Sequence, residues 1–300
     1  MSTPDHSARS VGVAIAGAGR VGTALGRLLS ERGTPVTALW SRNEARARSA
    51  AAFISASTHV VPLEELHRYA ARVLIAVPDD AIEVVAERIA AGAEGLEAAL
   101  HTSGILEGSA LRVLTERGVS CGSIHPLQTV PSPERGVALL PGSLFAVEGS
   151  NAALEWAEEV VRRLNGTLLR LPPQAKPLYH AAATLAGNGV IALLSAAERT
   201  LARAGFSKPA ARMLLHPLME ASLRNAVTLG PAAALTGPVE RGDRGTVVRH
   251  WQALAGCEDD VRELYRAAAL ALFAVAESKH GWSSDGNWVA NLLKDPERLP

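Results

Sequence analysis

Val11, Val13, Ala14, Ile15 and Ala16 form an apolar run too short for a helix, and it stops abruptly at Gly17, Gly19 and Gly22. The period then changes. Val21, Leu25, Leu28 and Leu29 fall on one helical face, and residues 36–40 read as a second buried strand. The alternation continues with a helix over 43–53, a short strand over 59–61, the 63–69 segment and a buried strand over 72–78. Asp79 or Asp80 is placed to cap a helix over 81–91. Beyond it the pattern predicts a strand over 96–100, a helix over 107–117, strands over 119–124 and 144–148, a helix over 152–164 and a strand over 167–171. Strands and helices in turn predict an α/β fold built on a doubly wound, mostly parallel sheet.

The character changes at Pro172 and Pro173. From Lys176 onward no strand is read, and apolar periodicity predicts helices over 178–204, 209–229, 246–255 and 259–278. The expected organisation is a polar, disordered N-terminus over 1–10, a Rossmann domain over 11–171 and an all-α domain over 172–300. The stretch 187–197 is nearly without charge and must be covered on all sides, by its own domain or by a second copy.

Gly17, Gly19 and Gly22 stand in G-x-G-x-x-G spacing between a strand and a helix, the context that gives this motif meaning. Gly17 permits the tight turn, Gly19 admits a pyrophosphate to the backbone, and Gly22 lets the helix pack against the strand. The helix N-terminus, with Arg20 and Val21, then faces the phosphates, and Val77 and Pro78 close the neighbouring strand end. A carboxylate for the ribose 2′-hydroxyl of NAD belongs after the second strand, but the chain reads Ser41, Arg42, Asn43. An arginine with a hydroxyl suits a 2′-phosphate, so the expected cofactor is NADP(H).

Composition narrows the rest. Lys and Arg balance Asp and Glu at 30 each, which argues against nucleic acid or an anionic membrane as partner. No apolar run reaches eighteen residues and the N-terminus lacks the core of a signal peptide, so a cytoplasmic location is expected. Cys121 and Cys257 have neither metal nor redox spacing.

Ligands of open α/β sheets lie beyond the carboxyl ends of the strands. Two strands end there in polar clusters, one with His101 and Ser103 beside Gly104, the other with His125. On the long helix Lys176, His180, Thr184 and Asn188 recur every four residues and form a slowly winding stripe. A wet helix start accounts for Lys176, whereas Asn188 calls for a partner. The loop 235–243 adds Thr236, Arg241 and Asp243, a set able to cap a helix or to grip a carboxylate or phosphate.

GAGRVGTAL, VLIAVPDDAI, LHTSG, SIHPLQT, YHAAATLAGN and LTGPVERGD, in this order, resemble Rossmann-like proteins whose helical C-terminal part is a domain of unknown function. These are distant relatives of 6-phosphogluconate dehydrogenase-like and pyrroline-5-carboxylate reductase-like enzymes. The resemblance runs from about Val11 to Val275. It implies an NADP-binding domain, a helical dimerising domain and an oxidoreductase activity. With the residues read above, the expectation is an NADPH-dependent reductase of a small carbonyl or imine compound at a cleft between the two domains. There, His101, Ser103, His125 or His180 would handle the proton, Asn188 would hydrogen-bond the reacting oxygen or nitrogen, and Thr184, Thr236 and Arg241 would hold substrate. The β-hydroxyacid dehydrogenases of that superfamily carry a lysine four residues before an asparagine; here Thr184 precedes Asn188. Their cationic proton donor is therefore missing from this position. A non-catalytic NADP-binding sensor and a ketopantoate reductase-like enzyme with Arg241 as carboxylate clamp are the alternatives.

Overall fold

The computed structural model describes residues 12–172, 174–280 and 288–294. The chain divides into two compact units, Met1–Leu185 and Ala186–Pro300.

The first unit carries strands β1 (Val13–Ala16), β2 (Val36–Trp40), β3 (His59–Val60), β4 (Arg72–Ile75), β5 (Ala98–His101), β6 (Ser120–Pro126), β7 (Leu144–Gly149) and β8 (Thr167–Arg170). Its helices are α1 (Arg20–Glu31), α2 (Glu44–Ile54), α3 (Ile82–Ala90), α4 (Arg112–Thr115), α5 (Pro133–Leu139), α6 (Asn151–Arg163) and α7 (Lys176–Ala186). The strands form one sheet in the order β3-β2-β1-β4-β5-β6-β7-β8. Every neighbouring pair is parallel except β6 and β7. The middle of the sheet is buried on both faces because helices cover each, while the edge strands β3 and β8 remain largely open to solvent. Val13 and Ile15 of β1 join the core under α1, α2 and α6, while Ala14 and Ala16 join the one under α3 and α4.

The strand and helix pattern is as expected through most of this unit, with differences that have local causes. The expected helix over 107–117 is a 3-10 turn, Gly108–Leu111, followed by the single turn α4. Helix α5 was not expected, although Ser132 caps it through Arg135 N–H and Pro133 opens it. Asp79 and Asp80 lie in a 3-10 turn ahead of α3 and neither caps it with its side chain. The long helix read over 178–204 is interrupted at Gly187, and its first part, α7, belongs with the sheet up to Leu185.

The second unit is helical: α8 (Asn188–Arg203), α9 (Lys208–Leu229), α10 (Pro231–Ala234), α11 (Arg244–Ala253), α12 (Asp259–His280) and α13 (Trp288–Lys294). Its main core gathers Val239, Val247, Trp251, Phe273, Trp288 and Val289, so the segment carrying Trp288 packs on its own unit. Trp282 and residues 1–10 lie outside the described residues. Of the 22 residues of α9 only Ala211 is buried, and Met213 and Val227 are 73% and 78% exposed. Among the described residues one helical stretch, Lys176–Arg203, is long and apolar enough to cross a membrane by length and composition.

Candidate functional site

The glycine turn joins β1 to α1. Gly17 has φ +124°, and a Cβ there would stand 2.3 Å from the Ala76 carbonyl oxygen. Its N–H donates to Trp40 O at 2.7 Å, which fastens the turn to the end of β2. Gly22 sits just as close, since a Cβ would meet Ala76 Cβ and Gly17 O, each at 2.8 Å. Gly19 differs: its nearest obstacle is Ala76 O at 3.7 Å, and no side chain caps α1. The space before the first N–H groups of α1 is thus left open, as an anion site requires. Val77 lines the turn, 3.2 Å from the position of a Gly17 Cβ. Arg20 and Pro78 are exposed and Val21 is half-buried nearby in the chain.

Ser41 is half-buried and Arg42 exposed just past β2. Asn43 is the N-cap of α2 and its Oδ1 accepts from Arg46 N–H at 2.9 Å. That side-chain oxygen serves the helix as its cap. Among the described residues, the end of β2 through Asn43 holds no carboxylate, and Arg42 is the charged residue of that stretch.

At the ends of β5 and β6 the structure separates residues that the sequence left equivalent. His101 is 0% exposed. Its Nε2–H donates to Glu107 O at 2.9 Å and its Nδ1 accepts from Ser103 N–H at 3.2 Å. Both nitrogens are engaged by backbone, and burial, reinforced by the Lys176 charge, brings the imidazole down to about 4. A proton-donating role for His101 is therefore corrected: its ring ties the loop after β5 together through Glu107 O and Ser103 N–H. Ser103 is likewise a turn residue, its hydroxyl accepting from Ile105 N–H at 3.2 Å and Leu106 N–H at 3.0 Å.

His125 faces a different environment. Its Nδ1 pairs with the Tyr179 hydroxyl at 2.9 Å, and its ring meets those of Tyr179 and His180 edge-on at 5.7 and 5.9 Å. Gly104 completes the cluster, because a Cβ there would lie 2.4 Å from His180 Cδ2 and 2.9 Å from His125 Nε2. Burial, then the neighbouring His180 and Lys176, lowers His125 to about 4, while burial raises Tyr179 to about 12. At neutral pH the pair is thus a neutral imidazole and a neutral phenol. An imidazolium acid near its ordinary value is replaced by a hydroxyl held on an imidazole. Tyr179 was missed because tyrosine on an apolar helix reads as core; its spacing one residue before His180 was the available signal.

Lys176 is not the wet helix start its position suggests: its ammonium is buried against Ser103, Ser123 and Glu148. Thr184, at the far end of α7, is exposed.

In the helical unit Asn188 is exposed in the first turn of α8. Thr236 and Arg241 are exposed on the 235–243 loop, where Asp243 caps α11 through Thr246 N–H at 3.0 Å. That unit also holds an apolar hollow of about 630 Å³ with His250, Tyr265 and Cys257 in its wall, and none of the sequence-predicted residues line it.

Two family models match the chain: a Rossmann-like domain over residues 1–126 and a domain of unknown function, DUF2520, over residues 143–272. No curated protein matches the sequence. A protein of Bacteroides fragilis described as a candidate NADP oxidoreductase shares 22% identity and a TM-score of 0.71, covering 91% of this chain and 99% of its own. A protein of Thermotoga maritima is 25% identical with a TM-score of 0.63, over 89% of this chain and 99% of its own. An imine reductase of Myxococcus stipitatus, in complex with NADP+, is 16% identical with a TM-score of 0.61, over 89% and 93%.

Proposed function

We propose that this chain, a Rossmann-like domain followed by a DUF2520 domain, is an NADP-dependent oxidoreductase that reduces a small imine or carbonyl compound. The observation that carries the reading is the meeting of Tyr179, His125 and His180 over Gly104, on the sheet that also holds the open glycine turn. The names of the Bacteroides and Myxococcus neighbours support it. Gly17, Gly19, Gly22 and the N-terminus of α1 would hold the pyrophosphate, and Arg42 with Ser41 the 2′-phosphate. When bound, the nicotinamide supplies hydride to the substrate carbon. The chain supplies the proton and the orientation. Tyr179 O–H, kept protonated by burial, gives its proton to the substrate nitrogen or oxygen. The Nδ1–H of neutral His125 donates to the phenol oxygen, holds it in place and stabilises the phenolate until a proton from solvent restores it. His180 walls the other side of the imidazole.

A titration of the purified protein with NADPH and NADH, followed by fluorescence, tests the cofactor. NADPH binds more tightly, and Arg42→Ala weakens it about 10-fold or more, the scale of one lost charge-assisted hydrogen bond. Absence of binding by either nucleotide would overturn the reading and favour neither enzyme nor NADP sensor.

We also propose that the working form is a homodimer joined through the helical unit. A 22-residue helix with a single buried residue and exposed Met213, Leu214, Leu218, Leu223 and Val227 has no reason to stay in water uncovered. Light scattering should give twice 31.4 kDa. Introducing Leu218→Glu with Val227→Glu should return the monomer mass, and an unchanged mass would show that α9 is not the joint.

A further inference from the structure

Lys176 opens α7, yet its side chain is 1% exposed. Nζ donates to Ser103 O at 2.9 Å and to Ser123 Oγ at 2.6 Å, with Glu148 Oε1 3.7 Å away. Glu148 Oε1 also accepts from the Ser123 hydroxyl at 2.6 Å and from Gly108 N–H at 2.8 Å. A cation buried this deeply persists only where its partners are fixed, so the end of the sheet and the start of α7 are held together here.

Two spacings tie this anchor to the cluster above it. Ser123 and His125 stand two apart on β6 and share a face, and Lys176 stands three and four residues before Tyr179 and His180, on one face of α7. The Lys176–Ser123 and Tyr179–His125 contacts are therefore successive rungs between the same helix and the same strand. The second acceptor, Ser103, precedes Gly104, against which both histidines rest.

We propose that Lys176 is the positioning residue of this site: it holds the Tyr179–His180 face of α7 in register with His125 and places a fixed positive charge behind the imidazole. Lys176 does not meet substrate; Ser103 and Ser123 anchor it, and its charge acts on His125 directly. This rests on reading Tyr179 and His125 as the pair that handles the proton. Glu148, Asp79 and Glu107 favour its cationic form against burial, and the balance leaves it at about 8, still charged at neutral pH. Facing it are His101 and His125, both disfavoured as cations by its charge, with Asp79 acting on both in the opposite sense and His180 acting on His125 in the same one.

The test is a side-chain nitrogen NMR titration of His125 in the full-length, nucleotide-free protein. Lys176→Met should raise the His125 midpoint by about one pH unit, the scale of one nearby charge removed. Ser123→Ala, which keeps the cation, should leave the midpoint within a few tenths of the parent. An unmoved midpoint in Lys176→Met, or an equal rise in Ser123→Ala, would overturn the proposal. Should methionine prevent folding, Lys176→Gln, which retains a donor for Ser103 and Ser123, is read by the same criterion. The measurement needs neither nucleotide nor turnover. A failure of the reductase reading would appear in the NADPH titration, separately from the fate of Lys176.

Discussion

Tyr179→Phe lowers turnover of an imine or carbonyl substrate by roughly 10²- to 10³-fold, within the range of a lost general acid, and leaves NADPH affinity unchanged. The phenol hydroxyl is hydrogen-bonded to His125, and phenylalanine fills its volume without the hydroxyl. The loss falls on kcat rather than KM, because the proton moves in the transition state. His125→Ala produces a loss of similar size, and the double variant is scarcely worse than either alone, as for groups acting as a unit. A Tyr179→Phe protein within twofold of the parent would transfer the proton step elsewhere, with His180 the next group to replace.

Gly17→Ala has the largest expected effect on stability. The alanine must adopt φ +124° and place its Cβ 2.3 Å from Ala76 O. That oxygen belongs to main chain held by the Ala76 N–H to Ala16 O bond at 2.8 Å, so it does not yield. Backbone strain and overpacking together cost about 3 kcal/mol. A urea midpoint should show it, and nucleotide binding should vanish with it. Gly19→Ala is the contrast. With φ −81° and its nearest obstacle at 3.7 Å, it folds with a midpoint change under about 0.5 kcal/mol and loses only the nucleotide. If both variants lose the same stability, the distinction drawn between the two glycines fails.

Most of the sheet was legible because its central strands carry short apolar blocks closed by turn signals, buried on both faces. The glycine turn was legible for the same reason: spacing and context are properties of one local stretch. What escaped depends on contacts between distant residues. His101 and His125 look alike in sequence, each closing a strand, but Glu107 O and Ser103 N–H engage one while Tyr179 takes the other. Lys176 looks like any helix-start lysine until Ser123 and Glu148, fifty-three and twenty-eight residues earlier, are folded beneath it. The antiparallel pairing of β6 with β7 has no signature within either strand.

The buried lysine also marks where this protein can be cut and rejoined. A recombinant that took its sheet from one homologue and its helices from another, spliced at Pro172, would draw Lys176 from one parent and Ser103, Ser123 and Glu148 from the other. Any mismatch would leave a carboxylate or an ammonium stranded in the interior. Moving the splice to Gly187 keeps all four in one parental block and places the seam at a break that the chain already has. Inheritance of α7 with the sheet, whatever lies beyond it, is then the rule that recombination among such proteins should obey.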